Sequence, residues 1–317
     1  MKLLTKSTNR FIRPCVKYFE QLPLPAKKKF IAFVGLLLPV RTLREKSRMK
    51  MLSDQKIAPA FHFSRDIGAQ EVFLDAQMTA DAIRFAQSKL EEFKSLNLER
   101  KNSKSYLQQI FNISDINKDS QFLLDFATSI PILKAVGKYL DAYPILHDVS
   151  VFYSPATVPR LDSPYTGSQL FHMDGDGAQN VKLWLLCERV NQDNGPTVLI
   201  PASESAQVAE YISYRPGDKI NDSLLGTALA RTISATGAAG TWFATDTDRC
   251  FHYGSRTTTN SERLVIMFHY VDQNSSYYLP IFKIYYGKIR TKVRASLLET
   301  NGDFARTSLR HRIERNS

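Results

Sequence analysis

The stretch Ser168-Gln169-Leu170-Phe171-His172-Met173-Asp174-Gly175-Asp176-Gly177 puts an imidazole and a carboxylate two residues apart. Side chains on a strand alternate between faces, so His172 and Asp174 aim a nitrogen and an oxygen at one point. A third ligand would complete a facial metal site with open coordination positions. The other histidines are His62, His147, His252, His269 and His311. His252 lies in Asp246-Thr247-Asp248-Arg249-Cys250-Phe251-His252-Tyr253-Gly254-Ser255, after a run that reads as strand and before a glycine where the chain can turn. Eleven residues on, Arg263 opens the run to Val271, in which Arg263, Val265, Met267 and His269 share one face. An arginine heading apolar residues is costly to bury alone, and its planar guanidinium suits a small-molecule carboxylate. Asp-Gly-Asp-Gly is not a calcium loop, because the twelfth position is Leu185 instead of a bidentate glutamate.

Strands must hold these residues. Short apolar runs at Val149 to Tyr153, Val181 to Cys187, Thr197 to Ile200, Gly240 to Ala244 and Leu264 to Val271 alternate with turn signals such as Asn194-Gly195-Pro196. Before them, residues 70–145 read as helical. Ala82, Phe85, Ala86, Leu90 and Phe93 form one apolar stripe, and a second runs from Phe122 to Leu140 with Pro131 ending or kinking it. The reading is a mainly β, jelly-roll or cupin-like double-stranded β-helix with N-terminal helices packed outside. Cys187 and Cys250 read as small core residues, His147 as structural, His269 as a strand residue packed behind the site, and Lys182 as facing solvent.

His172-x-Asp174, then His252 eighty residues later, then Arg263, joined by Lys182-Leu183-Trp184-Leu185-Leu186, Asp193-Asn194-Gly195-Pro196 and Ile200-Pro201-Ala202-Ser203, resemble the phytanoyl-CoA dioxygenase family. The resemblance spans roughly residues 145–272. It implies iron(II) on His172, Asp174 and His252, 2-oxoglutarate as co-substrate with its far carboxylate on Arg263, and Trp184 lining the same pocket. No further catalytic residue is implied. The implied reaction oxidises 2-oxoglutarate to succinate and carbon dioxide while hydroxylating a small-molecule, acyl or lipid-linked substrate. Related halogenases carry a small residue where this chain keeps Asp174, so hydroxylation is expected. Two departures stand out: Gly254 occupies a position where the family often has serine, with Ser255 next to it, and Glu204 places an acid near the expected pocket rim.

The +11 net charge is unevenly placed. Residues 1–51 carry thirteen Lys and Arg against two acids, and residues 283–317 carry nine against three, so the stretch between them is acidic. That organisation predicts a basic N-terminal extension (1–51), an oxygenase domain (52–282) and a basic C-terminal segment (283–317). An acidic body argues against a nucleic-acid partner, whose footprint should be basic. The basic ends suit peripheral contact with an anionic membrane. With three scattered cysteines, no evident leader and no run of the roughly 20 apolar residues that cross a bilayer, the expected location is the cytoplasm, on the inner face of a membrane. The competing readings are a metal-dependent hydrolase or isomerase on a cupin-like barrel, which has no need of Arg263, and a non-catalytic barrel that docks through its basic ends.

Overall fold

The computed structural model describes residues 14–15, 17–96, 104–156, 165–258, 260–276 and 278. The basic segment 283–317 lies outside the described residues. Two helices, α1 (Leu24–Leu37) and α2 (Pro39–Ser53), precede strand β1 (Ala69–Val72), helix α3 (Ala76–Ser95) and strand β2 (Gln108–Asn112). Helices α4 (Gln121–Ala127) and α5 (Ile130–Leu140) lead into β3 (Ile145–Ser154). Strands β4 (Val181–Leu186) and β5 (Val198–Leu199), helix α6 (Ala202–Tyr211), and strands β6 (Ile233–Ser234), β7 (Trp242–Thr245), β8 (His252–Tyr253) and β9 (Arg263–Val271) complete the order.

The strands form two antiparallel sheets. The larger runs β1-β7-β4-β9-β3-β2 and the smaller runs β6-β5-β8. Isolated bridges pairing His172 with His252 and Phe171 with Ile220 extend the smaller sheet. This is the expected double-stranded β-helix with helices ahead of it in the chain.

Strand alternation sorts the residues of the large sheet. Val149, Val151, Leu183, Leu185, Ile266 and Phe268 point outward into the main core, where Ala82, Ala86, Leu133 and Val136 of the helices cover them. Lys182, Trp184 and Leu186 of β4 and Arg263, Val265, Met267 and His269 of β9 take the other face. There, Trp184, Leu186, Phe243 and Val265 pack together.

Two features of the helical part differ from expectation. The segment read as wholly helical contains β1 and β2, which are short and edge the large sheet. Pro131 starts α5 instead of ending a helix, since a first-turn proline has no amide hydrogen to leave unpaired.

The Asn194-Gly195-Pro196 turn packs on the chain after β8. The Ser255 amide donates to Gly195 O at 3.0 Å, and Asn194 pairs with Thr257. Gly195 has φ 64°, and a Cβ there would lie 2.6 Å from Arg256 N. Gly195→Ala is therefore expected to lower stability by about 2 kcal/mol or more, read as a lower urea midpoint at unchanged slope.

Candidate metal centre

The smaller sheet brings the two histidines together. His172 N donates to His252 O at 3.0 Å and His252 N to His172 O at 2.9 Å. Their rings stand 4.3 Å apart between centroids. On the opposite face of the same segments, Phe171, Met173 and Phe251 are buried with Tyr214 and Ile220. Apolar neighbours thus hold the imidazoles inward.

Each imidazole is oriented by its Nδ1. His172 Nδ1 lies 2.9 Å from Leu170 O and His252 Nδ1 lies 3.1 Å from Cys250 O. A carbonyl only accepts, so both Nδ1 atoms carry the hydrogen and both Nε2 atoms keep a lone pair. Those lone pairs converge on Asp174 Oδ1, at 3.7 Å from His172 and 3.9 Å from His252. The ligand atoms of His172, Asp174 and His252 all lie within 4.8 Å of one another. They form a facial triad of two histidines and one carboxylate, and among the described residues it is the one such group.

Asp174 Oδ2 is taken by Lys182, whose Nζ lies 2.6 Å away. Lys182 is thus not the solvent-facing lysine its position on a strand suggested. Lys182 lies on the inner face of β4, where its side chain is largely buried and its ammonium turns to the Asp174 carboxylate. Burial alone would raise the Asp174 carboxyl, but Lys182 and the two histidines hold it well below its usual range. Burial opposes charge on Lys182 too, and Asp174 outweighs it, leaving the ammonium above its ordinary value.

The loop after Asp174 is fastened on two sides. Lys27 of α1 donates to Gly175 O at 3.0 Å and Gly177 O at 3.2 Å, and Asp248 Oδ1 accepts from Asp176 N at 3.1 Å. Lys27 is only 2% exposed, although its neighbours Lys28 and Lys29 in the same run are exposed. Upstream of His252, Asp246 accepts from Tyr139 at 2.8 Å and from the amides of Asn180 and Asp248 at 3.2 Å, while Asn180 and Thr247 bond each other. Asp246, Asn180 and Lys27 position the site without touching the triad atoms. Of these, only Asp246 carried a sequence signal, its place in the polar run before His252.

Arg263 is buried, with 3% exposure. Nη2 donates to Ser255 Oγ at 2.9 Å and Nη1 lies 3.4 Å from Thr197 Oγ1, while Nε has no partner among the described residues. The neighbouring Glu262 does not neutralise it, because that carboxylate binds Lys94 at 2.8 Å and Tyr153 at 2.6 Å. Burial pushes the guanidinium down to about 10, and Glu188 is the acid whose charge opposes this, from beyond ion-pair distance. A Cβ on Gly254 would lie 3.5 Å from Nη2, which places the guanidinium over the residue two beyond His252. Ser255 reaches it because φ of 62° swings its side chain round. A hydroxyl therefore stands beside the guanidinium although Gly254 offers none.

Trp184 lies on the inner face of β4 and donates from Nε1 to Thr245 Oγ1 at 2.9 Å. His269 is buried on the inner face of β9, opposite Lys182, with its ring 5.2 Å from that of His147, which lies within β3. Glu204 opens α6 and pairs with Arg231 at 2.9 Å. Cys187 and Cys250 are buried, and burial raises both thiols.

No family model and no curated protein matches the sequence. Among solved structures, the chain is similar to EctD from S. alaskensis in its apoform, at 15% identity over 68% of this chain and 82% of that one, with a TM-score of 0.45. It is also similar to the epimerase SnoN in complex with Fe3+, alpha ketoglutarate and nogalamycin RO, at 14% identity over 72% and 85%, with a TM-score of 0.44. The apo form of the non-heme monooxygenase ThoJ gives 15% identity over 66% and 75%, with a TM-score of 0.42.

His172 is pushed down from 6.5 to about 4, chiefly by burial, with Lys219 and Lys182 adding and Asp174 opposing. The fold therefore favours the neutral, ligating form. As pH falls below 6.5 the unfolded chain takes up this proton first, and the stability it contributes is lost on the way down to about 4. The metal-free protein is expected to lose more unfolding free energy over that window than His172→Gln does, measured by urea denaturation.

Proposed function

We propose that this protein is an iron(II)- and 2-oxoglutarate-dependent dioxygenase that hydroxylates a small-molecule, acyl or lipid-linked substrate. His172, Asp174 and His252 would hold the iron, and Arg263 the far carboxylate of 2-oxoglutarate. The observation that carries this reading is Arg263, a buried guanidinium with no carboxylate among the described residues at ion-pair distance. An unpaired buried charge costs several kcal/mol, about what a bound carboxylate would recover. The hydroxyls of Ser255 and Thr197 stand beside it as further donors, and Trp184 supplies an apolar wall on the same sheet face.

The donor set also fits the metal. Two neutral imidazoles and one carboxylate, all preset by hydrogen bonds, suit a divalent ion that must keep positions open. With iron, 2-oxoglutarate and oxygen bound, the centre supplies the oxidising power for C–H hydroxylation as the co-substrate leaves as succinate and carbon dioxide. The protein's own part is positional. The Leu170 and Cys250 carbonyls hold the imidazoles in one tautomer. Lys182 engages Oδ2 of Asp174 and leaves Oδ1 as the oxygen facing the histidines. The retained carboxylate at 174 favours hydroxylation over halogenation. A hydrolase or a non-catalytic barrel would leave Arg263 buried without a purpose.

Two titrations test the reading. Under anaerobic conditions, iron(II) followed by 2-oxoglutarate is expected to develop the visible absorption of a metal chelate. Asp174→Ala should abolish it, and Arg263→Ala should demand roughly 10–100 times more 2-oxoglutarate. Tight zinc binding without any response to 2-oxoglutarate would overturn the proposal in favour of the hydrolase. Lys182→Met separates the two roles. It is expected to weaken metal binding about tenfold, read by equilibrium dialysis, at a 2-oxoglutarate affinity near wild type once the metal is saturating.

A further inference from the structure

Helices α1 and α2 meet at a bend around Leu38 (φ −125°, ψ 59°), held on its inner side by Thr42 Oγ1 donating to Gly35 O at 3.2 Å. The apolar residues around this bend are uncovered. Leu36 is 81% exposed, and Phe33, Leu37, Val40 and Leu43 are each more than half exposed. A soluble surface seldom carries so many large apolar side chains in one place without something to cover them.

The charges of the two helices divide in a way that identifies the cover. Lys28, Lys29, Arg44, Lys46, Arg48 and Lys50 are exposed. Lys27 and Arg41 turn inward, Lys27 to the loop after Asp174 and Arg41 to Gln273 and the Tyr278 carbonyl. Glu45 is the one acid between residues 24 and 53. It too faces inward, bonded to Gln273, and burial and Asp272 push it up to about 7 against the pull of Arg41. The outward surface is therefore apolar residues fringed by cations with no exposed acid among them. That pattern complements lipid tails beneath anionic headgroups. No helix among the described residues is long and apolar enough to cross a membrane, so contact would be interfacial.

We propose that the bend between α1 and α2 is a membrane-docking element, whose apolar vertex enters an anionic bilayer while the flanking lysines and arginines meet the headgroups. Lys27 couples this element to the site, because the helix that meets the bilayer also holds the carbonyls of Gly175 and Gly177 beside Asp174. Docking then sets the metal-bearing loop at a fixed position relative to the lipid surface. The inference stands on surface chemistry and does not depend on which metal or co-substrate the site takes.

Flotation of the full-length protein tests it, with vesicles of phosphatidylcholine alone and vesicles containing phosphatidylserine. The protein is expected to float with the anionic vesicles, weakly or not at all with the neutral ones, and to be released as salt rises to about 0.5 M. The double variant Leu36→Glu/Leu37→Glu should bind at least tenfold more weakly. Lys28→Glu/Lys29→Glu should lose about fivefold or more per reversed charge on anionic vesicles only. Both pairs are exposed, and unchanged circular dichroism and urea midpoints would show that the fold is intact. Asp174→Ala should float like the wild type, which separates docking from metal binding. Absence of flotation with anionic vesicles would overturn the proposal. So would binding that both double variants retain. Self-association that Leu36→Glu/Leu37→Glu abolishes, without any vesicle binding, would reassign the bend to contact between copies of this chain.

Discussion

Two main-chain hydrogen bonds exchanged between His172 and His252 hold the rest of the site in place. They join residues eighty apart in sequence and set both imidazoles on one side of the smaller sheet. A slip of one residue would send the rings to the opposite face. Burial of Phe171, Met173 and Phe251 on that face prevents it, since each slipped register would expose three large side chains to the polar interior. The ligand geometry is therefore maintained by apolar packing that touches no ligand.

Buried charge is the second constraint. Asp174, Asp176 and Asp248 lie within electrostatic reach of Lys27 and Lys182. Asp248 is pushed well above its usual range, first by burial and then by Asp176, with Lys27 opposing. Such a set persists only if each member compensates another. One of the two cations comes from α1, so the N-terminal helices are part of the electrostatics of the site instead of an appendage to it. Arg263 is the exception, a buried guanidinium that meets hydroxyls and, among the described residues, no carboxylate at ion-pair distance.

His172 and Asp174 were legible together because strand alternation sets both on one face, while His252, eighty residues on, was joined to them only through the resemblance to a known family. The larger strands were legible because their apolar runs are long. Lys182 was misread because a lysine within a strand is ordinarily a solvated one, and only the folded structure shows that its face of β4 looks inward to Asp174. Lys27 was hidden in a run of three lysines whose members differ only in which way a helix turns them. β1 and β2 are too short to interrupt a helical pattern visibly. The Ser255 contact depends on a positive φ that no spacing rule foretells.

The order of strands in the large sheet has a consequence for how the protein is made. β9 is the last strand among the described residues, yet it lies between β4 and β3 near the middle of the sheet. Until it has been synthesised, β2 with β3 and β1 with β7 and β4 are two separate ribbons, each with an open edge where β9 will pair. Nearly the whole described chain must leave the ribosome before the halves can join. A nascent chain that stops short of residue 271 therefore leaves those strand edges unpaired until β9 joins them.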